Sequence, residues 1–283
     1  VEHHLMTTRT IVVTVPSQLA EIVTDRMWQW GVQAVSETVL DTDRVEVATS
    51  VGNKSIAVER AMATLDPSWP TEIRDVDDSI AQVAPEYLSP TWYLDGMVSV
   101  PASLLPFEPD DRHALVTVID PGSAFGLGDH PTTRTAMALL AGLLRGDRAV
   151  PCTSLLDVGC GTGALALLAA QLGVREIRAI DIADAAVEAT LRNMELNDVV
   201  GTIDVDTAPV AEVTGTYDIV VANILAPVLI AMADDLRRLV RPGGSLVISG
   251  ILAERHDHVL TALAPLTAVE SLAHEGWMSI MLR

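Results

Sequence analysis

Three apolar runs in this chain end on residues that can do chemistry. The first, Leu155-Leu156-Asp157-Val158-Gly159-Cys160-Gly161-Thr162-Gly163, passes through a glycine-rich turn into Ala164-Leu165-Ala166-Leu167-Leu168, which begins a helix. The run reads as a buried parallel strand. Its glycines let the backbone turn tightly and approach a ligand, with the helix N-terminus facing the turn. The second run, Ile177-Arg178-Ala179-Ile180-Asp181, closes on an acid that can accept hydrogen bonds from two ribose hydroxyls. The third, Tyr217-Asp218-Ile219-Val220-Val221-Ala222-Asn223, ends on an amide whose oxygen, with neighbouring carbonyls, can hold an amine. In open α/β sheets ligands bind beyond the carboxyl ends of strands. Together the three runs imply a nucleotide-type cofactor pocket.

Which cofactor is a matter of the flanking acids. Gly159, Gly161 and Ala164 also satisfy the G-x-G-x-x-G/A pattern of dinucleotide enzymes, so the glycines leave a nicotinamide cofactor and another adenosyl ligand both open. Asp157, awkward beside a pyrophosphate, suits a ligand that carries an amino group, such as the methionine part of S-adenosylmethionine. Asp181 suits either cofactor. Each residue also has a plainer reading: Asp157 as a helix cap, Asp181 as a solvated strand end, Asn223 as a shaper of its own turn.

The stretch 120–133 supplies more glycines and a helix start at Pro131. Thr132 and Thr133, at that helix N-terminus, are candidates to bind a methionine carboxylate, and His130 either adds a hydrogen bond or caps the helix. His130 has no further ligands at metal-binding spacing, so no metal is expected. Cys160 is small enough to pack inside the glycine turn, and a nucleophilic role is the weaker reading of it.

The elements that must position these residues form two domains in 283 residues of which 49% are hydrophobic. Residues 1–76 read as a βαββαβ module, a ferredoxin-like α+β domain. Its strands are expected at Ile11–Val15, Val32–Val35, Val45–Thr49 and Thr71–Arg74. One helix follows an N-cap at Ser17 and stops near Gly31, and a second covers Ser55–Leu65. Such a module, without chemistry of its own, is expected to recognise a partner, with Trp28 and Trp30 packing its core or an interface. Residues 77–113 read as a linker with a short extended segment at Met97–Val100. Residues 114–283 form an α/β domain, with strands expected at 115–119, 154–158, 177–181, 202–206, 217–222 and 244–249 and a closing pair near 267–272 and 277–282.

Charge and cysteines narrow the surroundings. A net charge of −20 argues against a nucleic-acid substrate and favours a basic partner, unless acidity serves solubility alone. The two cysteines, Cys152 and Cys160, fit a reducing compartment. Without a run of about 20 uncharged apolar residues or a signal-peptide layout, no membrane association and a cytoplasmic location are expected. Val1-Glu2-His3-His4-Leu5 before Met6 reads as a cloning remnant.

Taken together, the motifs resemble the ribosomal protein L11 methyltransferase family of class I S-adenosylmethionine-dependent methyltransferases. The resemblance runs from about Val118 to the C-terminus. It rests on Asp120-Pro121-Gly122 leading to Ala124-Phe125-Gly126 and His130-Pro131-Thr132-Thr133, on Asp157 to Gly163, and on Asn223-Ile224-Leu225-Ala226; Gly250-Ile251-Leu252 and Trp277 match the family's closing segments. It implies a Rossmann-like class I methyltransferase sheet and methylation of lysine or N-terminal amines on ribosomal protein L11. By position, Gly159, Gly161, Gly163 and Asp181 would hold the adenosyl part, Thr132 and Thr133 the methionine end with Asp157 and His130 also binding the donor, and Asn223 would hold the target amine while also lining the donor site. Where the family usually has Gly-Thr-His, this chain has Gly128-Asp129-His130, and its Pro90-Thr91-Trp92-Tyr93 does not reproduce the family's aromatic linker. Alternatives are a methyltransferase of another protein or a small amine, a non-catalytic S-adenosylmethionine-binding interaction protein, and a nicotinamide oxidoreductase.

Overall fold

Alternation at Ile11, Val13 and Val15 sends every second side chain of the first strand onto one face, where all three are buried. The computed structural model describes residues 7–28, 30, 32, 35–41, 43–51, 55–77, 89–120, 128–145 and 152–283. The chain divides into two units, Val1–Glu86 and Tyr87–Arg283. In the first, β1 (Thr7–Pro16), α1 (Ala20–Trp28), β2 (Ser36–Val39), β3 (Arg44–Ser50), α2 (Ser55–Met62) and β4 (Thr71–Asp77) follow one another. The strands form an antiparallel sheet in the order β2-β3-β1-β4. Val23 and Met27 of α1 and Val58 and Ala61 of α2 close its core. Trp30 packs against that core and its indole N–H donates to Thr64 Oγ1 at 2.7 Å, so it serves packing.

Two local expectations shift. β2 lies at Ser36–Val39 rather than 32–35, because its place is set by pairing: Asp41 accepts the Asp43 and Arg44 backbone N–H groups, closing a turn that aligns Val39 with Val45. All four β2 residues are exposed, so no apolar alternation marks them. Ser17 does not cap α1; it opens a short 3-10 turn, and its backbone N–H donates to Asp43 O at 2.8 Å. Gly31, the side chain of Trp28, residues 1–5 and the core of the expected linker, 78–88, lie outside the described residues.

The second unit starts earlier than the expected 114. β5 (Thr91–Leu94), β6 (Met97–Pro101) and β7 (Leu115–Ile119) make a three-stranded sheet, β5-β6 antiparallel and β6-β7 parallel. Tyr93, Met97 and Ile119 join this unit's main core, so the segment expected as linker is partly built into it.

After α3 (Pro131–Arg145) come β8 (Ser154–Val158), α4 (Ala164–Gln171), β9 (Glu176–Ile180), α5 (Asp184–Leu196), β10 (Ile203–Asp206), β11 (Tyr217–Asn223), α6 (Ala226–Ala231), α7 (Ala233–Leu239), β12 (Val240–Leu252), α8 (His256–Ala262), β13 (Ala268–His274) and β14 (Trp277–Leu282). Their seven strands run in the order β10-β9-β8-β11-β12-β14-β13, the first five parallel and the last two pairings antiparallel. Helices cover both faces, so the central strands are apolar on both sides. Leu155, Ile219, Val221 and Val247 enter a core with α3 and α4, while Leu156, Val220, Leu246 and Ile248 enter a second core with α6, α7 and α8. Strand order reverses between β8 and β11, which opens a crevice at their carboxyl ends. Among the described residues no helix is long and apolar enough to cross a membrane.

Candidate active site

The crevice is where the glycine turn and Asn223 meet. Gly159 follows β8 with φ +71°, and a Cβ there would lie 2.5 Å from Ile224 Cγ2, so the residue after Asn223 packs directly on the glycine. On the other side, Gly250 of β12 (φ +84°) would bring a Cβ to 2.4 Å from the Ile224 carbonyl oxygen. The Asn223-Ile224 turn is thus held between two positions that only glycine fits.

Side chains hold the glycine turn from behind. Asp157 is 1% exposed, and its Oδ2 accepts the Ala166 N–H at 3.1 Å, the third residue of α4. Burial pushes its carboxyl up to about 7, opposed by the Ala166 hydrogen bond and reinforced by the charge of Asp181. Through Oδ2 Asp157 thus caps α4, the plainer of its two readings. Asp181 is half-buried: Oδ2 accepts the Gly161 N–H at 3.1 Å and Oδ1 accepts the Ala183 N–H at 3.0 Å. A carboxylate has about four acceptor sites, so two remain for a ligand. The next residue, Ile182, is 74% exposed and offers an apolar surface beside that acid; sequence periodicity did not single it out. Cys160 is buried, its thiol is pushed up by burial, and it lies 3.5 Å from Thr190 Oγ1, which fits packing and not nucleophilic work.

A different set of contacts brings the N-terminus of α3 to Asn223. The Asn223 amide donates to Thr133 Oγ1 at 3.2 Å and leaves Oδ1 of this last β11 residue as an acceptor. The Arg134 N–H donates to His130 O, which places His130 at the helix N-cap, and the Thr132 N–H donates to His130 Nδ1 at 3.3 Å. Burial lowers the pKa of His130, against the nearby charges of Asp129 and Glu275. His130 also meets Trp277 edge-on, ring centroids 5.4 Å apart. Thr132 and Thr133 are each 2% exposed: the Thr132 hydroxyl is 2.8 Å from His130 Nδ1 and the Thr133 hydroxyl receives Asn223. Both brace their neighbours.

A buried hydroxyl series, which the sequence did not flag, anchors this end of α3. Ser249 donates to Thr132 O at 2.9 Å, Ser279 donates to Ser249 at 2.7 Å, and Thr135 lies 2.6 Å from Ser279. The only sequence signal for it is polar residues at otherwise apolar strand positions. Residues 121–127, which carry two of the three glycines of the stretch 120–133, lie outside the described residues. Among the described residues no group of three or more His, Cys, Asp or Glu side chains could hold a metal ion.

A fold with its glycine turn, strand-end acid and strand-end amide at one crevice can be compared with known proteins. The family model described as Ribosomal protein L11 methyltransferase (PrmA) matches residues 18–283. The chain belongs to the ribosomal protein L11 methyltransferase family. Among its relatives is the ribosomal protein L11 methyltransferase of Thiobacillus denitrificans, 39% identical over 217 residues, which are 76% of this chain and 66% of that protein. That of Citrifermentans bemidjiense is 41% identical over 170 residues, 60% of this chain and 56% of the relative. The chain thus spans less than two thirds of the length of these relatives. A solved structure, the ribosomal protein L11 methylase of Lactobacillus delbrueckii subsp. bulgaricus, superposes with a TM-score of 0.62 at 27% identity, covering 69% of this chain and 97% of that one. The Rossmann-like class I methyltransferase sheet expected from the sequence is the fold of the second unit. Within the L11 methyltransferase family frame, the candidate residues form one contact series: Asp181 on Gly161, Gly159 on Ile224, Asn223 on Thr133, and Thr132 on His130.

Proposed function

We propose that the chain is an S-adenosylmethionine-dependent protein N-methyltransferase acting on lysine or N-terminal amines of ribosomal protein L11. The observation that carries the choice of donor is the pair of carboxylates at the glycine turn. In a dinucleotide enzyme the N–H groups of this turn and helix hold a pyrophosphate. Here the Gly161 N–H is taken by Asp181 and the Ala166 N–H by Asp157, so a dianion would meet carboxylates where it needs donors. A ligand with ribose hydroxyls meets the remaining lone pairs of Asp181 instead.

When bound, S-adenosylmethionine supplies a methyl group on a sulfonium, which already carries its leaving group. In this reading Asp181 uses its remaining lone pairs on the ribose, and Ile182 gives the base an apolar surface. The N-terminus of α3 faces the methionine end, where Thr132, Thr133 and His130 keep its first turn in place. Asn223 Oδ1 accepts a hydrogen from the target amine and so aims the nitrogen lone pair; Thr133, by taking the other end of the amide, fixes which way Oδ1 points. A lysine has a reference pKa of ~10.4 and must lose a proton before it can attack. The charge of −20 suits a basic protein partner, and the βαββαβ unit, read as ferredoxin-like, is assigned its recognition. A cytoplasmic site of action accords with a ribosomal protein substrate.

Incubation of the purified chain with labelled donor and ribosomal protein L11 tests this. Label should enter L11 and fall about a hundredfold in Asn223→Ala at unchanged donor affinity, as expected for lost orientation. Donor binding with no label in L11 or any basic protein would overturn the enzyme reading.

A further inference from the structure

Helix α5 carries polar side chains where a helix packed on a sheet should be apolar. Thr190 and Asn193 are fully buried, while Leu191 and Leu196 of the same helix are 47% and 42% exposed. Thr190, Asn193 and Asn197 stand at i, i+3 and i+7, one stripe down the helix. Each end of the stripe holds a different piece of backbone. Thr190 Oγ1 donates to Gly161 O at 3.0 Å, in the glycine turn. Asn197, just past the helix, accepts the Val118 N–H at 2.8 Å and donates to Val118 O at 2.7 Å, in β7.

Asn193 holds both. Its Nδ2 donates to Thr162 O at 2.9 Å and to Asp120 O at 3.0 Å, and its Oδ1 accepts the Asp120 N–H at 2.7 Å. Both amide protons are used, and the orientation is dictated, since two carbonyls face the nitrogen and one N–H faces the oxygen. β7 pairs with β6 on one edge only. On its other edge Gln171, Asn197 and Asn193 meet Val116, Val118 and Asp120 in turn, so side-chain amides complete the edge in place of a strand. Thr162 belongs to the turn assigned to the donor, and Asp120 begins the sequence leading to Gly128 and the α3 cap.

We propose that Asn193 is a positioning residue for the donor pocket, an amide that locks the end of β7 to the glycine turn. It touches neither donor nor amine; it acts through Thr162 and Asp120, and the inference rests on the reading of the crevice as a donor site. The consequence is a split between binding and chemistry. Loss of Asn193 frees the turn carbonyl and weakens the donor, but once donor is saturating the transfer step, set by Asn223, continues.

The experiment compares Asn193→Ala with Asn197→Ala by calorimetric titration with S-adenosylhomocysteine, by donor KM and kcat on L11, and by thermal melting. Asn197→Ala removes two bonds from the same β7 edge, together with its bonds to the Asn193 carbonyl and from Gln171, without touching the turn, so it controls for stability. Expected is a donor Kd and KM raised about tenfold in Asn193→Ala with kcat within about threefold, and a Kd within about twofold of wild type in Asn197→Ala. Equal weakening in both variants, or none in Asn193→Ala, overturns the proposal. So does a fall in kcat with KM unchanged. Should Asn193→Ala fail to fold, Asn193→Ser, which keeps at most one donor, is read in the same way. A wild-type chain that binds no S-adenosylhomocysteine would sink the donor-site reading itself, an outcome distinct from the others.

Discussion

The two turns that face each other across the crevice are held by opposite means. The glycine turn after β8 is wired by side-chain hydrogen bonds: Asp157 to Ala166, Asp181 to Gly161, Thr190 to Gly161 O and Asn193 to Thr162 O. The turn after β11 is held by shape, with Ile224 between Gly159 and Gly250 and a single side-chain bond from Asn223 to Thr133. The difference fits their assigned tasks. A turn that binds a fixed donor gains from many directional constraints, whereas an amide that must receive an incoming amine keeps an acceptor unengaged. It follows that the first turn degrades stepwise, one hydrogen bond at a time, and the second fails abruptly when its space is filled.

The largest expected effect tests that abrupt failure. Gly250→Ala places a Cβ 2.4 Å from a backbone oxygen at φ +84°, where the neighbour cannot yield as a flexible side chain would. A loss of about 3 kcal/mol or more in chemical denaturation is expected, with transfer activity abolished. Wild-type stability in this variant would show that the turn is not held by shape. Next comes the hundredfold loss of transfer in Asn223→Ala set out above, which should leave stability nearly unchanged because the Thr133 hydroxyl it abandons is small and can turn elsewhere.

Asp157→Asn tests the glycine turn through pH. The folded carboxyl holds its proton up to about 7, against 3.8 for an unperturbed group, so between these values the native state binds more protons than the unfolded one. The stabilising share of protonated Asp157 is therefore complete below about pH 4 and is lost as pH rises through 7. Asparagine caps without charge and has no such loss. The stability advantage of Asp157→Asn over wild type should grow from pH 4 to 7 and then level, measured by denaturant midpoints; a gap independent of pH would contradict the buried-cap assignment. The smallest effect belongs to Ser279→Ala, which removes one link of the Thr135-Ser279-Ser249 series and should cost about 1 kcal/mol. Melting temperature reports it, with transfer rate moving little.

Much of this was legible in the chain because the relevant signals are local. The apolar runs at 154–158 and 217–223 are continuous since both faces of the central sheet are covered, and each observed strand from β7 to β14 falls within a few residues of its expected place. The family motifs lie in the turns that follow these strands. What was not legible depends on partners remote in sequence. The β2 edge strand has no apolar pattern and is placed only by its pairing with β3. Residues 91–101 look like a linker because short polar-flanked strands carry little periodicity, yet pairing with β7 builds them into the second unit.

The α/β class, the glycine turn, the strand-end Asp181 and Asn223 and the helix start at Pro131 are written locally in the chain, because strand periodicity, glycine and proline act on the backbone where they stand. What those groups face depends on how the elements pack. Asp157 caps α4 through the oxygen that takes the Ala166 N–H, and His130 stands at the N-cap of α3 with Thr132 at its Nδ1. Asn193 reads as one polar residue on an ordinary helix until the fold buries it against Asp120 and Thr162, 73 and 31 residues away in the chain. The physical reason is that a hydrogen bond requires two groups, and for these residues the second group is supplied by another element.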